Sequence, residues 1–173
     1  MNKIKLNVGC GTDYREGFIN IDGSESLPKV DKVIDLSTKR LKDSFEAESI
    51  NFILANDIIE HHFHWEGVQI LKDFYHILRS GGSCEIRVPD CEFIISNRKL
   101  DLETKLTFLF GGQDVPQGND KEMDESRKIY PHYFSHKYGW SMDRMKRDLK
   151  DIGFVNIKTE RAGTNFITLA KKS

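Results

Sequence analysis

Two glycines and an aspartate near the start of the chain have the types and spacing of a ligand-binding turn. Gly9 and Gly11 flank Cys10 in LNVGCG, where an apolar, β-branched run breaks off. Glycine at such a strand end lets the backbone approach a ligand closely. Asp22 follows eleven residues after Gly11, at the end of the run FINID. A carboxylate at the end of a second strand can accept from both hydroxyls of a ribose. The spacing therefore predicts a site for a ligand that contains a nucleoside.

The same turn departs from the motif of dinucleotide sites. That motif, G-x-G-x-x-G, needs a third glycine, a helix behind it and an acid about 20 residues further on. Here Tyr14 occupies the third position, and Asp22 arrives early, with only a loop between. A pyrophosphate would lack the helix N-terminus that normally receives it. The turn therefore argues against an NAD-dependent reductase or epimerase. The alternative to a ligand-binding turn is a plain strand–turn–strand with a structural role only.

Further candidate side chains stand at the end of the fourth apolar run, SINFILAN (49–56). Ligands of open α/β sheets lie at the carboxyl ends of the strands, so we expect Asn56 and Asp57 to line the crevice. The sequence EHHFH (60–64) follows closely. No second ligand cluster has matched spacing, and its three histidines cannot all face one point at a helix start. We therefore predict no metal site.

Seven strand-like runs must position these residues: 4–9, 18–22, 31–36, 49–56, 83–90, 154–161 and 166–173. The first five are largely apolar, which indicates a parallel sheet buried on both faces by helices. The last two are separated by a short turn at Ala162-Gly163 and read as an antiparallel hairpin.

Three helices are predicted between the strands. Apolar residues recur at helical spacing over 65–79, namely Trp65, Val68, Leu71, Phe74 and Leu78. Ser80-Gly81-Gly82 would end that helix with a left-handed cap. A second helix covers about 91–109, and a third begins after Ser141 and stops at Gly153. Residues 111–140 have no clear period, and a loop of that length is usually functional or disordered.

The composition excludes several classes of partner. The chain has 173 residues, with 26 Lys or Arg against 27 Asp or Glu, so no basic excess neutralises phosphates. No apolar run approaches the ~18–20 residues of a membrane span, and the first residues enter a strand without a signal peptide. Three cysteines without metal-site spacing fit a reducing cytoplasm. We therefore expect a cytoplasmic protein with no nucleic-acid or membrane partner.

The ordered set of motifs resembles the small, bacterial-type class I S-adenosylmethionine-dependent methyltransferases of the type 11 kind. The matches are LNVGCG, INID, VIDL, ANDIIEH, LRSGG before a strand ending in VPD, and a late GF. They cover nearly the whole chain in the family's order. The resemblance implies one methyltransferase domain over 1–173. It also implies an α/β fold with a Rossmann-like, doubly wound, mostly parallel seven-stranded sheet and a C-terminal antiparallel hairpin.

The resemblance implies S-adenosyl-L-methionine as the cofactor, held by Asn7, Gly9, Cys10, Gly11, Asp22, Asp35, Leu36, Asn56 and Asp57. Asp35-Leu36 is similar to the family's adenine clamp, in which the acid accepts from the exocyclic amine, although Asp35 reads equally well as a loop cap. This cofactor carries no phosphate, so a glycine turn with carbonyls and amides is sufficient. The short connection before Asp22 is compatible with it.

The acceptor is less constrained by the sequence. A hydroxyl acceptor would need a base, for which His136, Asp57 and His61 are the candidates, whereas an amine would need only its neutral form. GGQ (111–113) and HKYGW (136–140) resemble a family pattern, so we expect an insertion at about 110–140 to form a mobile lid and the acceptor side.

The expected acceptor is a small molecule, with a sugar or glycan precursor favoured by analogy, and the expected state is a monomer or homodimer. The alternative is a module that binds the cofactor, or another adenosine compound, without turnover.

Overall fold

A seven-stranded mixed sheet organises the chain in this computed structural model, which describes residues 3–114 and 120–173. The strands are β1 (Lys5–Val8), β2 (Ile19–Asp22), β3 (Lys32–Val33), β4 (Ile50–Asn56), β5 (Leu78–Pro89), β6 (Phe154–Ala162) and β7 (Asn165–Lys172). Their spatial order is β3-β2-β1-β4-β5-β7-β6. The first five strands run parallel, and β7 lies antiparallel between β5 and β6. The predicted Rossmann-like fold class, including the closing hairpin, is confirmed.

The register of the central strands brings the candidate residues to one edge. Val8, the last residue of β1, is opposite Ile21 of β2 and Ala55 of β4. The next residues along these strands, among them Gly9 and Asp22, therefore emerge side by side at the carboxyl end of the sheet. This edge is where open α/β sheets bind ligands.

In the described part of the chain, five α-helices accompany the sheet: α1 (His64–Ile77), α2 (Cys91–Ser96), α3 (Leu102–Phe110), α4 (Lys121–Ile129) and α5 (Met142–Ile152). α5 is as predicted, because the Ser141 hydroxyl accepts from the Arg144 N–H at 3.3 Å and Gly153 ends the helix with φ of 114°. Among the described residues, none of these helices has the length and apolarity of a membrane span.

Helix α1 differs from its prediction at both ends. Its buried stripe includes Gly67, Leu71 and Phe74, and Trp65 stands two residues before that stripe begins. Two residues turn a helix by about 200°, so the Trp65 side chain points to solvent and is 69% exposed. The helix also stops at Ile77, because Leu78 is already extended and begins β5.

Two other predictions of secondary structure are wrong, one of a single helix and one of a segment without periodic structure. The helix predicted over 91–109 is divided into α2 and α3, since Asp101 caps a new helix by accepting from the Thr104 N–H at 2.7 Å. The segment predicted to lack periodic structure contains α4, capped by Asp120, and a 3-10 helix (Pro131–Tyr133). α4 is almost wholly polar, so the sequence has no apolar stripe from which this helix could be predicted. Residues 115–119 of that segment lie outside the described part.

Trp140 anchors the chain where this segment returns to the sheet. It is 1% exposed, and its carbonyl accepts from the Cys91 N–H at 3.0 Å beside the end of β5. A side chain on Gly67 would reach within 3.1 Å of the Trp140 ring, so this glycine lets the indole seat against α1. The anchor fixes the position of the residues just before it, which include His136.

Candidate active site

A cavity of about 300 Å³ opens at the carboxyl edge of the sheet. Its walls come from the glycine turn after β1, the ends of β2 and β3, the turn after β4, and the segment that contains α4 and residues 133–136. This volume lies at the small end of the range for ligand sites.

The glycine turn is shaped by two left-handed residues. Gly9 has φ of 66°, and a side chain there would lie 2.7 Å from Ile58. Gly11 has φ of 51° and donates its N–H to Asp22 Oδ2 at 2.8 Å. Asp22 Oδ1 accepts from the Ser24 N–H at 3.0 Å. Each carboxylate oxygen accepts one backbone bond and keeps a further lone pair, and Asp22 lines the cavity.

The connection from β1 to β2 holds its shape without a helix. Residues 9–18, all of them described, form turns and bends. The side-chain amide of Asn7 donates to the Asp13 carbonyl at 2.7 Å and to Asn20 Oδ1 at 3.0 Å. α4 lies against this connection, since Thr12 donates to Asp120 at 2.5 Å. Wall residues therefore come from distant parts of the chain.

Asp35 combines the two roles that its sequence context allows. It accepts from the Ser37 N–H at 2.9 Å and from the Thr38 hydroxyl at 3.1 Å, as a loop cap does. It also lines the cavity beside Leu36 and Tyr133. Burial opposes its charge, yet the hydrogen bonds from Ser37 and Thr38 lower the pKa of Asp35. Burial, and then the charge of Asp35, raises the pKa of Tyr133 to about 12, so the phenol keeps its proton.

Asp57 is engaged by a cation and an amide. It has φ of 53°, forms an ion pair with the Arg87 guanidinium and accepts from the Asn165 amide at 2.9 Å. The guanidinium and the Asn165 amide occupy the oxygens of the carboxylate. This arrangement suits a fixed negative charge in the cavity wall and disfavours the base role predicted for Asp57.

His61 and His136 are neighbours although 75 positions separate them. Their rings meet edge to face, with centroids 4.8 Å apart. His61 Nδ1 lies 3.2 Å from the Ser135 carbonyl, and His136 Nδ1 lies 3.0 Å from that of Phe108. Burial, and then the proximity of His136, lowers the pKa of His61 to about 3, and burial also lowers the pKa of His136. Both imidazoles are therefore neutral near pH 7.

Most of the residues predicted for the site share this cavity: Gly9, Gly11, Asp22, Asp35, Leu36, Asp57, His61 and His136. Asn7, Cys10 and Asn56 are not among its described wall residues. The Asn7 amide is used inside the turn, whereas Asn56 Oδ1 is buried with no hydrogen-bond partner among the described residues. Burial, and then Asp22, raises the pKa of the Cys10 thiol to about 12.

Several wall residues escaped the sequence analysis, namely Leu27, Ile34, Ile58, Met123, Ser126, Arg127 and Phe134. Three of these lie on α4. The signal that could have revealed them is Asp120 followed by acidic residues at 122 and 124 and basic residues at 127 and 128, a pattern typical of a capped helix.

No family model matches the sequence, and no curated protein sequence matches it. Solved structures do share its fold. An S-adenosylmethionine-dependent methyltransferase from Methanosarcina mazei superposes with a TM-score of 0.64 at 15% identity, covering 99% of this chain and 93% of that chain. One from Archaeoglobus fulgidus gives 0.63 at 13% identity, with 98% and 86% covered.

A third similar structure is a phosphoethanolamine N-methyltransferase 2 from Haemonchus contortus, in complex with phosphomonomethylethanolamine and S-adenosylhomocysteine. Its TM-score is 0.58 at 12% identity, and this chain spans about half of it, 49%, while 99% of this chain is covered. At these identities the likeness is one of fold. The chain therefore has the class I methyltransferase fold, as its motifs predict.

Proposed function

We propose that this chain is an S-adenosylmethionine-dependent methyltransferase that acts on a small-molecule acceptor. The observation that carries the proposal is the position of Asp22. Asp22 lies at the end of β2, and its carboxylate accepts a hydrogen bond from the Gly11 N–H of the glycine turn. The remaining lone pairs of this carboxylate face the cavity. A side chain on Gly11 would approach Met123 on the opposite wall and so narrow that cavity. That combination suits a ribose that is bound by Asp22 while the adjoining parts of the ligand lie against the backbone of the glycine turn.

The rest of the cavity suits the other parts of this cofactor. Leu27, Ile34, Leu36 and Tyr133 offer an apolar slot beside Asp35, which can accept from an exocyclic amine. The turn before Asp22 has no helix N-terminus to receive a pyrophosphate, which disfavours a dinucleotide.

The charge of the wall fits a cationic ligand. Asp22, Asp35 and Asp57 line the cavity, and Arg127 is the cation among the described wall residues. Asp57 is paired with Arg87, and Arg127 is paired with Asp124 at 2.8 Å, so Asp22 and Asp35 account for the excess negative charge. S-adenosylmethionine carries a sulfonium and an ammonium against one carboxylate. An excess of fixed negative charge therefore favours it over an anionic nucleotide.

When bound, S-adenosylmethionine supplies an electrophilic methyl group. The chain's part would be to hold the acceptor in line with it, an effect worth up to ~7–11 kcal/mol in favourable cases. For a hydroxyl acceptor, the neutral imidazole of His136 is better placed than the ion-paired Asp57 to receive a proton, whereas a pKa of about 3 makes His61 a weak base. The volume of the cavity favours a small acceptor, and a sugar or glycan precursor remains our choice by analogy.

Calorimetric titration with S-adenosylmethionine, S-adenosylhomocysteine and NAD tests the cofactor. We expect dissociation constants of about 1–100 μM for the first two and no binding of NAD. Comparable or tighter binding of NAD would refute the proposal.

Release of S-adenosylhomocysteine in the presence of small hydroxyl or amine acceptors tests turnover. A chain that binds the cofactor yet releases no product with any acceptor would support the alternative, a binding module without catalysis.

A further inference from the structure

Glu60, His61 and His136 form a cluster of three hydrogen-bond acceptors, here called the Glu–His–His cluster. One ligand atom from each side chain lies within 4.8 Å of the corresponding atoms of the other two. Two of these residues line the cavity, and the third, Glu60, lies behind them with 2% exposure. The fold thus brings one carboxylate and two imidazoles to a single point.

The tautomers of both histidines are fixed by their backbone partners. A carbonyl oxygen can only accept, so the Nδ1 atoms that face the Ser135 and Phe108 carbonyls must carry the protons. In an imidazole whose single proton is on Nδ1, the Nε2 atom keeps an unprotonated lone pair. A histidine that donates one ring N–H to a backbone carbonyl, with the other nitrogen bare, has the arrangement that orients metal-binding imidazoles.

Glu60 supplies the independent observation. Both of its carboxylate oxygens are buried without a hydrogen-bond partner among residues 3–114 and 120–173. A carboxylate buried in this way is costly unless a cation or a proton compensates it. The nearby Arg87 guanidinium compensates it only in part, because it is paired with Asp57. Three acceptors converge, and the ring N–H groups of both histidines are already used on the Ser135 and Phe108 carbonyls.

We propose that Glu60, His61 and His136 bind one divalent transition-metal ion of the zinc type, through the Glu60 carboxylate and the two Nε2 atoms. Two nitrogens and one oxygen suit Zn²⁺ and its neighbours, whereas Mg²⁺ and Ca²⁺ prefer oxygen ligands. Two histidines and a glutamate with an open fourth position form a known type of catalytic zinc site. The proposal reverses our sequence-based expectation of no metal.

The reversal has a specific structural cause, which is the approach of His136 to the turn after β4. Gly111 has φ of 84°, and a side chain there would lie 3.1 Å from the His136 ring. The His136 N–H donates to the Phe110 carbonyl at 3.0 Å, and the Lys137 N–H donates to the Glu60 carbonyl at 2.8 Å. These contacts place a distant histidine where the sequence 60–64 alone offered no third ligand.

Because His61 and His136 line the cavity, the open position of the ion would face the acceptor. There it would polarise an acceptor hydroxyl and lower the pKa of that hydroxyl, which replaces the need for a free imidazole base. This role rests on the proposed function. Metal binding itself does not, and it can be measured without turnover.

The test uses the full chain, freed of metal with a chelator and titrated with ZnCl₂. We expect one equivalent to bind with a dissociation constant below about 1 μM, and MgCl₂ not to compete. Glu60→Gln and His136→Ala should each weaken zinc binding by at least ~100-fold, since even changes to residues that only orient the metal ligands cost 10–100-fold. His132→Ala is the matched control, because His132 is exposed in the same segment and lies outside the cluster.

Absorption of the Co²⁺ form and X-ray absorption of the Zn²⁺ form give a readout that needs no variant. We expect four-coordinate spectra with two imidazoles and no sulfur, which separates the cluster from Cys10, Cys84 and Cys91. No zinc binding below about 10 μM, sulfur ligation, or unchanged affinity in a folded His136→Ala would overturn the proposal. A chain that binds S-adenosylmethionine but not zinc would overturn this inference alone. A chain that binds zinc but not S-adenosylmethionine would overturn the proposed function alone.

Discussion

Replacing Asp22 with alanine should weaken cofactor binding without unfolding the chain. The carboxylate already accepts from the Gly11 and Ser24 N–H groups at 2.8 and 3.0 Å, and its remaining lone pairs face the cavity. A hydrogen bond to a charged acceptor is worth ~1.5–3 kcal/mol. Two ribose hydroxyls therefore contribute ~3 kcal/mol or more, and each ~1.4 kcal/mol is tenfold in affinity. Even if only half of this is lost, the dissociation constant should rise at least about tenfold.

Calorimetry with S-adenosylhomocysteine measures this change, and circular dichroism checks the fold. Asp13→Ala is the matched control, because Asp13 lies on the same connection but its carboxylate pairs with Arg15 at 2.7 Å and does not belong to the described cavity wall. Asp22→Asn keeps the volume and one acceptor, so it should fall between wild type and Asp22→Ala. An unchanged dissociation constant in folded Asp22→Ala would remove Asp22 from the site and with it the main support for the proposed cofactor.

Other perturbations have equally definite outcomes. Gly11→Val should abolish cofactor binding in the same titration, since a β-branched residue at φ of 51° is strained; normal binding by a folded variant would make the turn merely structural. Hydrogen exchange over 120–136 should slow when S-adenosylhomocysteine binds, as for a closing lid, and identical exchange would contradict this. His136→Ala should lower turnover far more than cofactor affinity; equal losses would place it in cofactor binding. Phe74→Ala should cost ~3–5 kcal/mol of stability in chemical denaturation, and Trp65→Ala less than ~1 kcal/mol, or our account of α1 is wrong.

The part of the cavity formed by the sheet was predictable because its residues lie at strand ends. Apolar runs fix where β1, β2 and β4 stop, and parallel pairing then brings those stops to one edge. The position of Asp22 follows from these two facts. The sequence could not show that the amide of Asn7 is used within the connection, since that depends on a contact with Asn20 across the sheet.

The part of the cavity formed by α4 and residues 133–136 was harder to predict, for physical reasons that differ between residues. α4 is held by polar contacts and a cap, so hydrophobic periodicity gives no sign of it. His136 meets His61 only because Gly111 admits a close approach and Trp140 fixes the chain beyond. Neither contact can be inferred from spacing along the sequence. The same long-range contacts create the Glu–His–His cluster, which explains why counting histidines in 60–64 missed it.

The hydrogen bonds between α4 and the first hundred residues have a consequence for how the protein folds. Thr12 bonds to Asp120, and Ser24 bonds to Ser126 at 2.8 Å, across sequence separations of 108 and 102 residues. Closing loops of that length costs entropy that only later contacts repay, so such contacts form slowly. During synthesis, the glycine turn leaves the ribosome long before α4 exists to cover it. The nascent chain would therefore contain only those walls of the cavity that the first strands form. The ability to bind ligand should appear as one of the last events of folding.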